Sequence, residues 1–296
     1  MESFNRALIA LLIVVSFPLF AADPLDTWHW RSPTPTGNQL RGVAWGGGRY
    51  VAVGEFGTVL ISVDGRNWEN KDSGSQLDLK SVAYGDGRFV AVGKLGEMLV
   101  STDGAAWTPL DSGTFSGLNA IVYGAGRWIA VGQYGTIVIS TNGSTWSVVT
   151  SGGPEFRDVA WGGGQFVAVG GEERASYSPY YPKGTPIAAW STDGKSWRSF
   201  DPTSGSDTWL TSVAYGNGRF VVSTFENDIF RSDDLVHWNV GRVGDSAPLS
   251  KLTYVGSEFL ALQGGRTLAL AGIYRSLDGI HWTYQLVEPI DARVRS

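Results

Sequence analysis

SVDGRNW, residues 62–68, places a hydroxyl, a carboxylate, a glycine and a tryptophan within seven residues. The chain repeats this pattern five more times, as STDGAAW (101–107), STNGSTW (140–146), STDGKSW (191–197), SDDLVHW (232–238) and SLDGIHW (276–282). A catalytic constellation normally occurs once in a chain, whereas the turns of a repeat scaffold recur with every repeat. The repetition therefore indicates a structural role for this motif.

The motif is the end of a longer repeated unit. Six segments share one pattern, namely LRGVAWGGGRYVAVG (40–54), LKSVAYGDGRFVAVG (79–93), LNAIVYGAGRWIAVG (118–132), FRDVAWGGGQFVAVG (156–170), LTSVAYGNGRFVVST (210–224) and LSKLTYVGSEFLALQ (249–263). The motif tryptophans are 39, 39, 51, 41 and 44 residues apart. A period near 40 residues built from short strands is typical of a β-propeller.

Each unit contains four predicted strands, two of them joined by a glycine-rich hairpin and the last two by the Asp-Gly turn. We therefore predict an all-β, six-bladed β-propeller of four-stranded antiparallel blades. A seven-bladed ring with one degenerate blade is the alternative, because Asp26 and Trp30 in DTWHW keep the aspartate-to-tryptophan spacing of the motif. In the six-bladed ring that we favour, residues 30–32 resemble a lone seventh copy of the fourth strand, which is expected to pair onto the last blade and close the ring.

Turn chemistry explains the motif residues. The carboxylate can accept backbone N–H groups of its own turn, the glycine supplies a positive φ, and the tryptophan buries a large surface against the adjoining sheet. We predict these structural roles for Asp64, Trp68, Asp103, Trp107, Asn142, Trp146, Asp193, Trp197, Asp234, Trp238, Asp278 and Trp282. Asn142 replaces the aspartate in the third copy and Leu235 replaces the glycine in the fifth, so those two turns are expected to be less well made.

The motif resembles the Asp-box, or bacterial neuraminidase (BNR) repeat, of sialidases and several non-catalytic propellers. In sialidases one more residue separates the aspartate from the glycine, whereas Asp64 and Gly65 are adjacent here. The shorter form, joined to the GxGRFVAVG hairpin, is similar to propellers related to photosystem II stability and assembly factors. That resemblance implies an assembly scaffold rather than an enzyme.

Composition and the N-terminal segment set limits on location and partners. Charged residues are 17% of the chain and the net charge is −5, which argues against a nucleic-acid partner. The absence of cysteine excludes disulfides and thiolate chemistry. Residues 1–22 read as a signal peptide, with Arg6 before an apolar run that is too short for a comfortable membrane anchor. We expect a monomeric propeller domain over residues 23–296, periplasmic or secreted, without membrane insertion after cleavage.

Chemistry that recurs in every blade belongs to the framework, so we expect any activity where the blades differ. The loops between strands 1 and 2 and between strands 3 and 4 form one face, here called the hairpin face. The loops between strands 2 and 3 and between blades form the other, here called the variable face. The candidate ligand-binding residues on the variable face are Arg41, Lys80, Tyr134, Arg157, Glu172, Arg174, Tyr177, Tyr180, Tyr181 and Phe225.

Two features define these candidates. The second residue of the innermost strand reads Arg41, Lys80, Asn119, Arg157, Thr211 and Ser250 along the six units, and convergent cations at a channel mouth can hold a carboxylate or phosphate. The alternative is long side chains that extend from a strand end into water. The tyrosines lie in an insertion in the fourth unit, whose aromatic composition suits a peptide or a sugar. A surface insertion without a partner is the other possibility.

An enzyme remains the alternative function. A sialidase-like hydrolase needs an arginine cluster and a tyrosine–glutamate pair, and WRSP (30–33) places its arginine on an outer strand. Glu172, Glu173, Glu226 and Asp228 lie in suitable loops for a glycosidase, but nothing in the sequence pairs them. His29, His237 and His281 each precede a motif tryptophan, which favours a scaffold role over metal binding. We predict a non-catalytic propeller without metal or cofactor that binds a protein, a peptide or a glycan.

Overall fold

The computed structural model describes residues 36–173, 184–203, 205, 207–244, 249–263 and 272–286. Within them the chain forms 24 strands in six four-stranded antiparallel sheets, and the strand order in every sheet follows the chain. The six-bladed β-propeller predicted from the sequence is confirmed. The predicted signal peptide (1–22) and the predicted strand at residues 30–32 lie outside the described residues.

The blades follow one another along the chain. Blades 1 to 3 consist of β1 (Leu40–Gly46), β2 (Arg49–Gly54), β3 (Val59–Ser62), β4 (Glu69–Lys71), β5 (Leu79–Gly85), β6 (Arg88–Gly93), β7 (Met98–Ser101), β8 (Thr108–Pro109), β9 (Leu118–Gly124), β10 (Arg127–Gly132), β11 (Ile137–Ser140) and β12 (Ser147–Thr150). Blades 4 to 6 consist of β13 (Phe156–Gly162), β14 (Gln165–Glu173), β15 (Gly184–Ser191), β16 (Arg198–Phe200), β17 (Leu210–Gly216), β18 (Arg219–Thr224), β19 (Asp228–Ser232), β20 (Asn239–Arg242), β21 (Leu249–Val255), β22 (Glu258–Gln263), β23 (Gly272–Ser276) and β24 (Thr283–Leu286).

Helical structure in these residues is limited to three single turns of 3₁₀ helix. They join the second and third strands of blades 1, 2 and 3, at Glu55–Gly57, Lys94–Gly96 and Gln133–Gly135. Across the described ranges, no helix has the length and apolar character needed to cross a membrane.

The first two strands of each blade are joined by a two-residue hairpin. In blade 2, Gly85 pairs with Arg88, and the two residues between them, Asp86 and Gly87, have φ values of 44° and 71°. Positive φ at both positions matches the right-handed twist of the flanking strands, which is why Gly-x-Gly sequences recur here.

The core lies between successive blades. The second strands are buried on both faces; Val51, Ala52 and Val53, for example, are 0% exposed. Apolar clusters fill the spaces between blades 1 and 2, 2 and 3, 3 and 4, 4 and 5, and 5 and 6, and each draws residues from both blades. The central residues of these strands therefore form continuous apolar runs, as expected for sheets packed face to face.

An aromatic ring seated on a glycine recurs between blades. A Cβ added to Gly46 of β1 would lie 2.0 Å from the ring of Tyr84 in β5, and the same is true of Gly85 with Tyr123 and of Gly216 with Tyr254 at 2.2 and 2.1 Å. Only glycine permits this close approach of a ring to the strand backbone.

Candidate functional site

The repeated turns on the hairpin face have the geometry predicted for them. In the first copy, Asp64 Oδ1 accepts hydrogen bonds from the backbone N–H groups of Arg66 and Asn67, both at 2.8 Å. Ser62 Oγ accepts the N–H of Gly65 at 2.9 Å, and Trp68 Nε1 donates to the carbonyl of Gly65 at 3.1 Å. In this copy the serine hydroxyl, the aspartate carboxylate and the tryptophan N–H are all engaged within the turn itself.

The two atypical turns keep the hydrogen bonds to the serine and to the residue at the aspartate position, whereas the indole N–H of Trp146 in the third copy has no partner among the described residues. Asn142 Oδ1 accepts the N–H groups of Ser144 and Thr145, both at 2.9 Å, as the aspartates do. Leu235 takes the place of glycine at a φ of 63°, in the left-handed region, so its conformational cost remains. The hydrogen bonds that form the turn are therefore present in both copies, and the fifth copy also carries backbone strain at Leu235.

Hydrogen bonds within the turns lower the pKa of several turn carboxylates. Hydrogen bonds from the backbone N–H groups of Ser196 and Lys195 lower the pKa of Asp193 to about 2. Backbone hydrogen bonds also lower the pKa of Asp64 and of Asp103. A carboxylate that accepts several N–H donors is stabilised in its charged form, as expected for a structural group.

The described histidines belong to these turns. His237 Nδ1 lies 2.7 Å from Asp234 Oδ2, and His281 Nδ1 lies 2.6 Å from Asp278 Oδ2. His29 lies outside the described residues. Among the residues that the structure describes, no group of three or more histidine, aspartate or glutamate side chains is placed to hold a metal ion.

The hairpin arginines connect one blade to the next. Arg49 Nη1 donates to the carbonyl of Asp103 at 2.8 Å, and Arg88 Nη1 donates to Ser144 Oγ at 3.2 Å. In both pairs the acceptor belongs to the repeated turn of the following blade. Arg127 instead contacts the carbonyl of Ala125 in its own hairpin at 3.5 Å. These arginines clamp the scaffold, with Arg127 as the weak case.

On the variable face, the candidate cations occupy β-bulges. The pairing between the first two strands shifts by one residue at the second position of every innermost strand. A bulge leaves the extra residue unpaired and re-aims its side chain. The six extra residues are Arg41, Lys80, Asn119, Arg157, Thr211 and Ser250. The predicted cations Arg41, Lys80 and Arg157 thus stand at equivalent places in blades 1, 2 and 4.

Most of the cations near these bulges are neutralised by a neighbouring acid. Arg41 Nη2 lies 2.8 Å from Glu55 Oε1, and Arg157 Nη2 lies 3.3 Å from Glu155 Oε2. Lys94 of the second 3₁₀ turn lies 2.6 Å from Asp78 Oδ2. The sequence pointed to the basic residues but did not indicate that each would face a carboxylate.

Lys80 differs from the other cations. Its ammonium donates to the neutral amide oxygen of Asn119 at 2.6 Å, and Asn119 Nδ2 in turn donates to Glu155 Oε1 at 2.8 Å. Burial lowers the pKa of Lys80, the Glu155 carboxylate opposes this shift, and repulsion from Arg41 and Lys94 adds to it. A carboxylate brought by a ligand would relieve that repulsion.

Arg157 and Phe225 lie on one aromatic platform. The guanidinium carbon of Arg157 lies 5.3 Å from the centre of the Trp209 ring, and Phe225 packs on the same ring at 4.8 Å. Trp209 is 5% exposed, so the platform is part of the blade 4–blade 5 contact. Phe225 was predicted as a ligand-binding residue, and the structure places it half-buried beside this platform.

Blades 1 to 3 each expose one large side chain in the turn between their second and third strands. Phe56, Leu95 and Tyr134 are the middle residues of the 3₁₀ turns, with φ values of 53°, 54° and 55°. They are 64%, 65% and 68% exposed. We call these three residues the apolar rim. Phe115 lies in the loop that connects blade 2 to blade 3, and its side chain is 92% exposed.

The apolar rim is held at a conformational cost. A side chain in the left-handed region costs roughly 1–2 kcal/mol relative to the right-handed one, and glycine would adopt it freely. Burial does not compensate, because the three side chains point into solvent. The turn backbone is held instead by hydrogen bonds to the neighbouring loops, such as the one from Phe56 N–H to Asp78 Oδ1 at 3.1 Å. Strained residues held in place by the surrounding structure are common at binding sites. The sequence analysis identified Tyr134 but did not select Phe56, Leu95 or Phe115, because exposure cannot be read from residue type.

The insertion in blade 4 extends its sheet. β14 and β15 remain paired beyond the length of the other blades, as far as Glu172 with Thr185 and Glu173 with Gly184. Glu172 is exposed at the base of this extension. The predicted ligand-binding residues Arg174, Tyr177, Tyr180 and Tyr181 lie outside the described residues.

The sequence analysis did not predict the buried ionic cluster that joins blades 4, 5 and 6. Asp158 of β13 is 2% exposed and accepts hydrogen bonds from Ser212 Oγ, from Val213 N at 3.0 Å and from Lys251 Nζ at 2.7 Å. The three partners come from blades 5 and 6, so one carboxylate connects three blades. All of its acceptor positions serve the fold.

Cations lie beside three of the described carboxylates on the variable face. Glu55, Glu155 and Asp78 are each paired with a cation. Hydrogen bonds from Lys94 and from the Phe56 N–H lower the pKa of Asp78. A general acid requires a raised pKa instead.

Comparison with known proteins gives structural matches alone, since no protein-family model and no curated protein matches the chain. The structure of YCF48 bound to a D1 peptide is similar with a TM-score of 0.64 and 20% identity, over 92% of this chain and 88% of that one. YCF48 from Cyanidioschyzon merolae has a TM-score of 0.62 and 15% identity, over 86% and 87%. The WD40 propeller domain of Doa1 has a TM-score of 0.62 and 14% identity, over 86% and 83%. At these identities the matches establish the propeller fold.

Proposed function

We propose that this chain is a non-catalytic propeller that binds a peptide segment of another protein on its variable face, over blades 1 to 3. The observation that carries the proposal is the apolar rim: Phe56, Leu95 and Tyr134 are exposed and held at positive φ in three consecutive blades. Exposed aromatic and aliphatic side chains on rigid turns are the usual anchors of a protein interface.

The ligand carries a carboxylate next to apolar side chains. Lys80 lies in the first strand of blade 2, and its hydrogen-bond partner, Asn119, is uncharged. Arg41 and Lys94 are instead paired with a glutamate and an aspartate. An aspartate or glutamate of the ligand therefore pairs best with Lys80, because Lys80 is the cation of these three whose hydrogen-bond partner is uncharged. The solved complex of YCF48 with a D1 peptide supports a peptide as the class of ligand through fold similarity.

The chain acts after export, as a scaffold during assembly of a larger complex. Support comes from the signal-like residues 1–22 and from the repeat, whose resemblance to assembly-factor propellers rests on the adjacent Asp-Gly pair joined to the GxGRFVAVG hairpin. A glycan is the competing ligand, because aromatic side chains also stack on sugars.

The test uses two triple variants that relieve the same strain on opposite faces. F56G/L95G/Y134G removes the apolar rim, and D86G/A125G/N217G changes three hairpin-face residues that also have positive φ. Peptides are selected from a random library on the purified chain, and their affinities are measured by fluorescence anisotropy. We expect acidic, apolar peptides that lose about tenfold or more in affinity for the rim variant and retain it for the control, since anchor residues carry most binding energy.

Three results would contradict the proposal. Selected peptides could bind both variants equally, K80M could leave the affinity for acidic peptides unchanged, or a glycan array could yield ligands where the peptide library yields none. A screen of the purified chain against fluorogenic glycosides, including a sialoside, tests the enzyme alternative. If the chain hydrolysed one of these glycosides and replacement of Glu172 abolished the hydrolysis, the chain would be a glycosidase and this proposal would be wrong.

A further inference from the structure

Three neighbouring blades contribute a line of polar contacts at the bulges of the variable face. Lys80 Nζ of blade 2 donates to Asn119 Oδ1 of blade 3 at 2.6 Å, and Asn119 Nδ2 donates to Glu155 Oε1 at 2.8 Å. The other carboxylate oxygen of Glu155 lies 3.3 Å from Arg157 Nη2 of blade 4. Asn119 is therefore the residue that lies between the Lys80 ammonium and the Glu155 carboxylate.

The partners of Asn119 fix the orientation of its amide group. Lysine can only donate hydrogen bonds, so the amide oxygen must face Lys80. The Glu155 carboxylate and the backbone carbonyl of Phe156, which lies 2.8 Å from Asn119 Nδ2, can only accept, so the amide nitrogen must face them. An exchanged amide would set donor against donor and acceptor against acceptor. The contacts on both sides therefore hold the side chain in one orientation.

This orientation leaves the charge of Lys80 without a direct counter-ion among the described residues. An ammonium can donate more than one hydrogen bond, and Asn119 accepts one of them. Because the acceptor is a neutral amide oxygen, the hydrogen bond holds the ammonium in place without neutralising it. Arg41, Lys94 and Arg157 on the same face each contact a carboxylate directly.

The surroundings of Lys80 favour an added negative charge. Lys80 is half-buried, and burial lowers its pKa; the Glu155 carboxylate opposes this shift, and repulsion from Arg41 and Lys94 adds to it. Asp78 also favours the charged form, but its carboxylate lies 2.6 Å from Lys94. A carboxylate in direct contact with Lys80 would stabilise the ammonium.

Asn119 differs from the other two uncharged bulge residues. The hydroxyls of Thr211 and Ser250 donate to backbone carbonyls of their own blades, at 3.2 and 3.1 Å. Asn119 instead bonds to residues of blades 2 and 4. A carboxylate of the same size at this position would face Lys80 directly and would neutralise it.

We propose that Asn119 determines the preference of the variable face for acidic ligands. It positions the Lys80 ammonium with a neutral oxygen and keeps the Glu155 carboxylate from pairing with it, so a carboxylate of the ligand is the strongest partner for Lys80. The inference rests on the function proposed above and adds the residue that sets the charge of the ligand. Asn119 acts through Lys80 and is thus a positioning residue.

Two isosteric variants test this role. N119D places a carboxylate beside Lys80, and N142D makes the same change of residue and of net charge in a hairpin-face turn, where the five other copies have an aspartate. The probes are the acidic peptides selected on the wild-type chain, and the same peptides with Asn and Gln in place of Asp and Glu. We expect N119D to bind the acidic peptides about tenfold more weakly than N142D does, because its own carboxylate pairs with Lys80 and repels that of the peptide. The neutral peptides should bind both variants equally.

The reactivity of Lys80 provides a second measurement that needs no ligand. Acetylation of Lys80 by acetic anhydride is followed by mass spectrometry, with the other lysines as internal references. A carboxylate in contact with the ammonium keeps it protonated, so Lys80 should react about fivefold more slowly in N119D than in N142D at the same pH.

The outcomes separate this inference from the proposed function. Equal affinities of N119D and N142D for the acidic peptides, or equal reactivity of Lys80 in the two variants, would overturn the role of Asn119 and leave peptide binding itself intact. A matching loss of affinity for the neutral peptides would also overturn it, because the effect of N119D would then lie in the shape of the face. A library that yields no peptide would refute the proposed function, and the inference with it. Thermal unfolding followed by circular dichroism checks that both variants fold.

Discussion

Replacement of Asp158 by alanine should weaken the propeller more than any single surface change. The carboxylate is buried and accepts hydrogen bonds from Ser212 Oγ, Val213 N and Lys251 Nζ, as well as from its neighbour Val159 N at 2.9 Å. Ser212 is 0% exposed and also accepts the N–H of Leu252 at 3.0 Å. Loss of the carboxylate therefore leaves donors from blade 5 without a partner inside the channel.

The size of the effect follows from which partners can reach water. The Lys251 side chain is 49% exposed, so its ammonium regains hydration when Asp158 is removed. The Ser212 hydroxyl and the Val213 N–H cannot, and each buried unsatisfied donor costs about 1–3 kcal/mol. We expect D158A to lower the free energy of unfolding by about 3–5 kcal/mol, within the roughly 2–6 kcal/mol that two buried unsatisfied donors cost. In a domain of this size that corresponds to a decrease in Tm of roughly 6–20 °C.

Urea unfolding followed by circular dichroism measures this loss. K251M should cost a similar amount, about 3–5 kcal/mol, because it leaves the buried carboxylate of Asp158 without its cation. The double variant should cost less than the sum of the two, since both changes remove one interaction. D233A is the surface control: the Asp233 side chain is 57% exposed beside Arg219 and Arg231, and its loss should be nearly neutral. A D158A loss below about 1 kcal/mol would refute the reasoning, because surface changes give that much.

Two further predictions concern the repeated turns. The pKa of Asp193 is lowered on folding to about 2, so its stabilising contribution is present above its ordinary value of 3.8 and is lost as the pH falls towards 2. D193N keeps the turn, as Asn142 does, and should show a smaller loss of the urea midpoint between pH 6 and pH 3; an equal loss would assign the acid sensitivity to other groups. R49A removes the 2.8 Å hydrogen bond to Asp103 and should cost about 0.5–1.5 kcal/mol, whereas R127A, with its 3.5 Å contact, should cost less than about 0.5. If R49A and R127A lowered the free energy of urea unfolding equally, the hydrogen bond from Arg49 would not stabilise the contact between blades 1 and 2.

The repeat made most of the fold predictable. Asp64, Gly65 and Trp68 act within one turn, so their spacing along the chain is their spacing in space. The hairpin between Gly85 and Arg88 is equally local. Local hydrogen bonds and positive φ values are what residue types encode most directly. The number of blades followed by counting these units.

The candidate site was less predictable because its contacts join different blades. Lys80 meets Asn119 across 39 residues, which is one repeat, and the bulge that aims both side chains has no sequence signature of its own. Lys251 meets Asp158 across 93 residues and two blades. One signal was present: opposite charges at the third position of an otherwise apolar innermost strand, in the fourth and sixth units. A comparison of equivalent positions around the ring would have found that pair.

Difference between blades is therefore not a sufficient sign of function. Asp158 and Lys251 are unique to their blades, yet they are satisfied by each other and by Ser212, so they serve the fold. Phe56 and Leu95 share a turn position but differ in side chain from blade to blade, and those side chains remain exposed at positive φ, without burial to offset the strain. The useful criterion is the energetic state of a unique residue. Where hydrogen bonds or burial offset its cost it stabilises the propeller, and where the cost stands uncompensated a ligand is the expected source of compensation.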